Sequence, residues 1–155
     1  MSLVLITDRT GADVSNAKML RLKIQSGSAL TETEISAFER GTCTKTMLNR
    51  IETAQKTLAE DLNNLQYKIS ISNKTDWIYT DIFDNANYER LLNNLEKLKD
   101  AFFTYPTTPQ TPSYMYGFKE ANDIEKILFD IEQLIKEMKE NYIKCGTIQC
   151  GGELL

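Results

Sequence analysis

Apolar residues recur at helical spacing in three long stretches. The first falls at Leu48, Ile51, Ala54, Leu58, Leu62, Leu65 and Ile69. Steps of three and four are the signature of an amphipathic helix, which predicts a helix over about Lys45 to Tyr67. The second stretch, Tyr88, Leu91, Leu92, Leu95, Leu98 and Phe102, predicts one from about Ala86 to Phe102, capped by Asp84 or Asn85. The third, Ala121, Ile124, Leu128, Ile131, Ile135, Met138 and Tyr142, is a heptad seam and predicts a helix from about Lys119 to Tyr142. Ile127 and Leu134 widen that seam, so the helix is expected to touch neighbours on two sides. Its length also leaves room for pairing with a second copy.

Two shorter helices precede these. Thr10 and Asp13 have capping-box spacing, and Ser26-Gly27-Ser28 punctuates the chain, which predicts a helix from about Ala12 to Gln25. Thr31 and Glu34 repeat the box. The second helix then runs from about Glu32 to Arg40, with Gly41 as a C′ stop. Residues 70–84 break the helical period and carry Trp77, Tyr79, Ile82 and Phe83, so an extended loop or short hairpin is expected. Pro106, Pro109 and Pro112 fall three apart. They predict a crossover of polyproline II character, pinned by Tyr105, Tyr114, Tyr116 and Phe118.

The pattern predicts an all-α fold: an antiparallel helical bundle of three long helices with two short N-terminal ones flanking it. A single domain over 1–155 divides into an N-terminal arm (1–11), the bundle (12–143) and an extended or β C-terminal tail (144–155). No internal repeat is evident in the sequence. Glu52 and Lys56 read as an i,i+4 pair on the outer face of the third helix.

Composition narrows the function. A net charge of −4, with Lys and Arg interleaved among acidic residues, gives no basic stripe for nucleic acid. No apolar run reaches the roughly 18 residues of a membrane span. Leu3-Val4-Leu5-Ile6 is short for a signal-peptide core and is followed at once by Asp8, so synthesis in a cytoplasm without export is expected. The chain has no histidine, which removes Ser-His-Asp and Cys-His chemistry within it and argues against a hydrolase.

Three cysteines give no disulfide framework. Cys145 and Cys150 flank Gly-Thr-Ile-Gln, but structural zinc takes four ligands and only Cys43 remains. No metal or other cofactor is therefore expected. The Trp77 segment reads as a surface for a glycan or protein, or as a plug for the end of the bundle. Its neighbours Asp76, Asp81 and Asp84 lack the spacing of a calcium loop.

Several short motifs follow one another in order. Thr7-Asp8-Arg9-Thr10 leads into Ala12-Asp13-Val14. Leu48-Asn49-Arg50-Ile51-Glu52 comes next, then Lys74-Thr75-Asp76-Trp77. The run from Glu120 to Leu128 follows, and Cys145 to Glu153 closes the series. In this order they resemble small structural proteins from the tail region of phages and prophages of Firmicutes. The resemblance implies a non-enzymatic virion component of the tail tip, baseplate or fibre region, made in the bacterial cytoplasm. Its expected partners are itself and other tail proteins. No catalytic residue carries over. Thr7, Asp8, Arg9 and Thr10, with Cys145, Gly146, Cys150, Gly151 and Glu153, become candidate attachment residues; for the Thr-Asp-Arg-Thr segment a plain helix cap is an equal reading. Trp77 and Tyr79 join them as candidate partner contacts. The alternatives are a binding module acting through the Trp77 segment and a cytosolic helical adaptor or inhibitor.

Overall fold

A computed structural model describes residues 3–101, 103–114 and 117–141 of the chain. Five helices follow one another: α1 (Gly11–Gln25), α2 (Glu32–Gly41), α3 (Lys45–Asn64), α4 (Asn85–Lys99) and α5 (Phe118–Asn141). The described residues contain no strand, so segment 70–84 is a loop rather than a hairpin. The C-terminal tail lies outside the described residues.

The helix starts follow from capping. Thr10 and Thr31 each accept the backbone N–H three residues on, and Asp13 and Glu34 bond back to the cap N–H. These carboxyls consequently lie below their ordinary range. The Thr10 N–H is the leading cause for Asp13, and the Lys23 ammonium for Glu34. Thr44 and Asp84 cap α3 and α4 by the same side-chain bond.

Two helix ends are Schellman motifs. After α1, Ser28 N–H donates to Lys23 O and Gly27 N–H to Ile24 O, with Gly27 at φ 82°. After α3, Tyr67 N–H donates to Leu62 O and Gln66 N–H to Asn63 O. There the left-handed residue is Gln66, at φ 71°. Helix α3 therefore stops at Asn64, short of the expected Tyr67. The apolar period continued to Ile69 and masked the turn, because Leu65 and Ile69 still pack on the core from outside the helix. Helix α4 likewise ends at Lys99 rather than Phe102, with Asp100 as its C-cap.

One core joins α3, α4 and α5. Ile51, Leu58 and Leu62 meet Leu91, Leu95 and Leu98, and Ile124, Leu128, Ile131 and Ile135, all at most 1% exposed. Of the two uses left open for the α5 seam, its described part from Ala121 to Ile135 serves packing within the chain. Ile127 is buried as well, and α5 meets both α3 and α4. At this burial, hydrophobic transfer of each large side chain contributes about 1.5–3 kcal/mol.

Helices α1 and α2 form a separate hairpin. Gly41 closes it: a Cβ there would lie 2.2 Å from Asp13 O and 2.6 Å from Ala17 Cβ. Gly41 is thus the last residue of α2 and a close-approach position, not a C′ stop beyond the helix. Arg40 ties the hairpin to the chain start through Asp8 and Asp13. Only Ala17 and Leu20 are buried on α1, and no residue on α2.

The proline crossover is held by polar contacts. Tyr105 Oη donates to Glu137 Oε1 (2.7 Å), Thr108 Oγ1 to Asp130 Oδ2 (2.9 Å) and Lys99 Nζ to Thr111 Oγ1 (3.1 Å). Of the expected pins, Tyr105 makes the Glu137 contact, Phe118 begins α5 and Tyr116 lies outside the described residues.

Candidate functional site

Two extended segments run over the helices, residues 3–10 and 67–78. The first lies antiparallel to α5. Leu3 N–H donates to Glu132, Ile6 N–H to Glu125 and Arg9 N–H to Asn122. From Leu3 to Ile6 an extended chain covers about 10 Å, close to the roughly 10.5 Å between helical positions 132 and 125. The Leu3 and Ile6 pairings thus match in spacing, while Arg9 meets Asn122 less than one helical turn beyond Glu125.

The second segment lies on α3 by the same chemistry. Asn49 clasps Trp77 by both backbone groups: Trp77 N–H donates to Oδ1 (2.7 Å) and Asn49 Nδ2 donates to the Trp77 carbonyl (3.1 Å). Asn122 clasps Arg9 in the same way, at 3.1 and 2.9 Å. Asn63 holds Ile69 and Asn94 holds Ser72 likewise. A carboxamide offers one donor and one acceptor side by side. It thus replaces the neighbouring strand that an isolated extended segment lacks, and satisfies the strap's backbone groups.

Three residues after the clasping Asn stands a buried Glu. Glu52, on α3, accepts Lys74 N–H (2.6 Å), Trp77 Nε1 (2.8 Å) and both terminal nitrogens of Arg90. Glu125, on α5, accepts Ile6 N–H (2.6 Å), Arg9 Nη2, and Arg50 through Nε (3.1 Å) and Nη2 (2.8 Å). Both carboxylates are fully buried and accept four bonds. Such saturation, together with a bidentate guanidinium, is what a buried carboxylate needs. The Glu52 bond also holds the Arg90 guanidinium above its ordinary value.

The two sites are copies of one unit. Asn49-Arg50-Ile51-Glu52 matches Asn122-Asp123-Ile124-Glu125, and Thr75-Asp76-Trp77 matches Thr7-Asp8-Arg9. In each, the helix Asn clasps the strap residue after Thr-Asp. That residue's own side chain donates to the helix Glu, and the backbone N–H three residues earlier donates to the same carboxylate. The chain therefore contains an internal repeat, contrary to the sequence reading. The repeat escapes a fixed-period search because its straps and helices lie 68 and 73 residues apart, respectively (77 − 9 and 122 − 49). The straps are also exchanged: the one preceding α1 docks on α5, and the one following α3 docks back on α3.

This geometry places the candidate contact residues. Arg9 is 4% exposed and committed to Glu125, so its side chain is internal rather than an attachment surface. Thr10 is the α1 cap, and the exposed Asp8 pairs with Arg40. Thr7 is exposed on the strap. Trp77 is 3% exposed, edge-on to Phe83 at 5.6 Å, and its indole does not reach the surface. Tyr79 is 82% exposed, with Lys45 Nζ over its ring at 4.0 Å. Cys145, Gly146, Cys150, Gly151 and Glu153 lie outside the described residues. Among those described, no cluster of His, Cys, Asp or Glu is arranged to hold a metal ion.

Sequence reasoning missed Glu52 and Glu125 as interior residues. Glu52 faces Arg90 and the indole, not Lys56 on an outer face. The available signal was the recurrence of Asn-x-Ile-Glu together with Thr-Asp.

The outer surface carries the remaining chemistry. In the loop after Trp77, Ile78 (57%), Tyr79 and Ile82 (80%) are exposed. The loop is nevertheless fixed: Asp81 Oδ2 accepts Ile78 N–H (3.0 Å) and pairs with Lys74 (2.9 Å). These two contacts, the N–H first, hold the Asp81 carboxyl below its ordinary range. No described helix is long and apolar enough to cross a membrane. Comparison of the chain with protein-family models, with curated proteins and with solved structures found no match.

Proposed function

We propose that this chain is a non-enzymatic structural component of a phage virion, from the tail tip, baseplate or fibre region, acting by self-association and by docking to other tail proteins. The observation that carries the reading is how the chain divides its side chains. Buried polar groups such as Arg9, Glu52, Trp77 and Glu125 are spent on holding straps to helices, while large apolar side chains stand exposed on α1 and on the loop after Trp77. Exposed apolar side chains on a fixed scaffold suit a protein whose work is contact with other proteins. The ordered motifs that resemble phage tail-region proteins supply the context, and an antiparallel bundle is the arrangement that the shared core of α3, α4 and α5 favours.

Mass spectrometry of gradient-purified virions from a strain that encodes the chain tests this reading. The chain is expected in the particles, at a ratio to the tail proteins that stays constant across the gradient. Its absence from particles, with the free protein present in the lysate, overturns the proposal.

A second reading has one observation in its favour. Tyr79, Ile78 and Ile82 form a rigid exposed tip, as in a module that recognises a host-surface protein or glycan. A Tyr79→Ala variant that keeps wild-type binding to host cells removes it.

A further inference from the structure

The described surface carries two separate apolar patches with opposite rims. The first is on α1. Met19 and Leu22 are 67% and 65% exposed and lie three residues apart. At 3.6 residues per turn they sit roughly opposite Ala17 and Leu20, the pair buried on α1. The helix is thus apolar on two opposite faces, one of which no described residue covers. A helix that is apolar on opposite sides is the pattern of one covered on both. Lys18 borders the open face beside Leu22, and Arg21 lies further round on the same side, both exposed. The acidic residue of α1, Asp13, is engaged by Arg40.

The second patch is the tip formed by Ile78, Tyr79 and Ile82. Its rim is acidic: Asp76 and Asp84 are exposed beside it. Lys74 is paired with Asp81, and Lys45, over the Tyr79 ring, offsets one of the two remaining carboxylates, so the tip is acidic by one charge. The tip is held in shape by Trp77, which Asn49 clasps and Glu52 anchors, so little conformational entropy remains to be lost on docking. Both patches are exposed in the single chain, so they do not cover one another.

We infer that the α1 face of one copy receives the 78–82 loop of a second copy, with Lys18, and Arg21 behind it, meeting Asp76 and Asp84 along one side of an apolar centre of Met19, Leu22, Tyr79 and Ile82. Each patch complements the other and repels its own kind. The contact is therefore heterologous, and repeating it makes a ring or an open fibre rather than a closed dimer. This inference rests on the self-association in the proposed function and assigns the surfaces that carry it.

Sedimentation velocity of the full-length chain, over a dilution series reaching about 1 mM to capture weak contacts, tests it with two variants. Leu22→Glu puts an acid opposite the acidic rim, and Ile82→Lys puts a base opposite the basic one. Circular dichroism checks that both keep the helical content of the parent. The wild-type chain is expected to form species larger than a dimer, and each variant to weaken association at least about tenfold. An equimolar mixture of the two variants is expected to regain association, because one intact patch of each kind remains and the two altered patches carry opposite charges. A wild-type chain that stays monomeric overturns both the inference and the self-association it rests on. Association unmoved by one or both variants, or a mixture that fails to pair, overturns these two surfaces and leaves self-association standing.

Discussion

Asn49 holds Trp77 by both of its backbone polar groups, at 2.7 and 3.1 Å, and the indole so positioned donates to Glu52 three residues further along α3. A single helical face thereby fixes the position of an extended chain that has no strand beside it. Removing the carboxamide leaves two strap backbone groups without a partner, each costing about 1–3 kcal/mol. Asn49→Leu should therefore lower stability by about 2–6 kcal/mol in urea unfolding, with an unchanged m-value. A loss under about 1 kcal/mol would show that water replaces the clasp at no cost.

Glu125 compensates two guanidinium groups, those of Arg9 and Arg50. Glu125→Gln keeps the shape and removes the charge, leaving both cations without a counter-ion at a buried site. The expected loss is about 3–5 kcal/mol. Glu60→Gln, on the exposed side of α3, should stay within about 0.5 kcal/mol. Equal effects from the two substitutions would mean that the Glu125 cluster is solvated.

At Gly41 two effects oppose each other. Alanine in a helix is favoured over glycine by about 1 kcal/mol. Its Cβ, however, would lie 2.2 Å from the Asp13 carbonyl oxygen, a backbone atom that moves only if α1 moves. Overpacking of this kind costs about 1–3 kcal/mol, so the steric term wins. Gly41→Ala should speed amide exchange throughout α1 and leave α3 unchanged. A slower α1 would contradict the close approach.

Much of the fold is legible in the sequence. Thr10 with Asp13 and Thr31 with Glu34 mark two helix starts because capping acts over three residues. The 3–4 spacing from Ala121 to Ile135 marks the buried face of α5. The strap contacts are not legible in this way. Arg9 and Glu125 are 116 residues apart, and a glutamate between apolar positions reads as the wet side of a helix until its partners are known. The end of α3 is obscured for a different reason: Leu65 and Ile69 lie beyond the helix and continue its period while packing on the core as loop.

Tyr105 gives a test by pH. Its hydroxyl donates to Glu137, and that bond, with burial and the nearby carboxylates following, pushes the phenol up to about 12. The folded state thus binds the proton more tightly than the unfolded one, whose pKa is about 10. The stability from this bond is whole below about pH 10 and is lost as pH rises from there towards 12. In an ultraviolet titration, Tyr105→Phe should remove the highest-pH phenolate step. Loss of a step near pH 10 would show that the Glu137 bond does not form.

The two Thr-Asp straps are held to the scaffold at Arg9 and Trp77, with contact surfaces left to the exposed loop and to α1. Amide hydrogen exchange resolved by residue tests this most directly. Ile6, Arg9, Lys74 and Trp77, each donating to a helix side chain, should exchange only through global or near-global opening. Tyr79 and Ile82 should exchange fast in the dilute monomer. Ile6 and Arg9 exchanging at unfolded-chain rates, while α3 and α5 stay protected, would contradict the account and return the Thr7 to Thr10 segment to the role of a free arm.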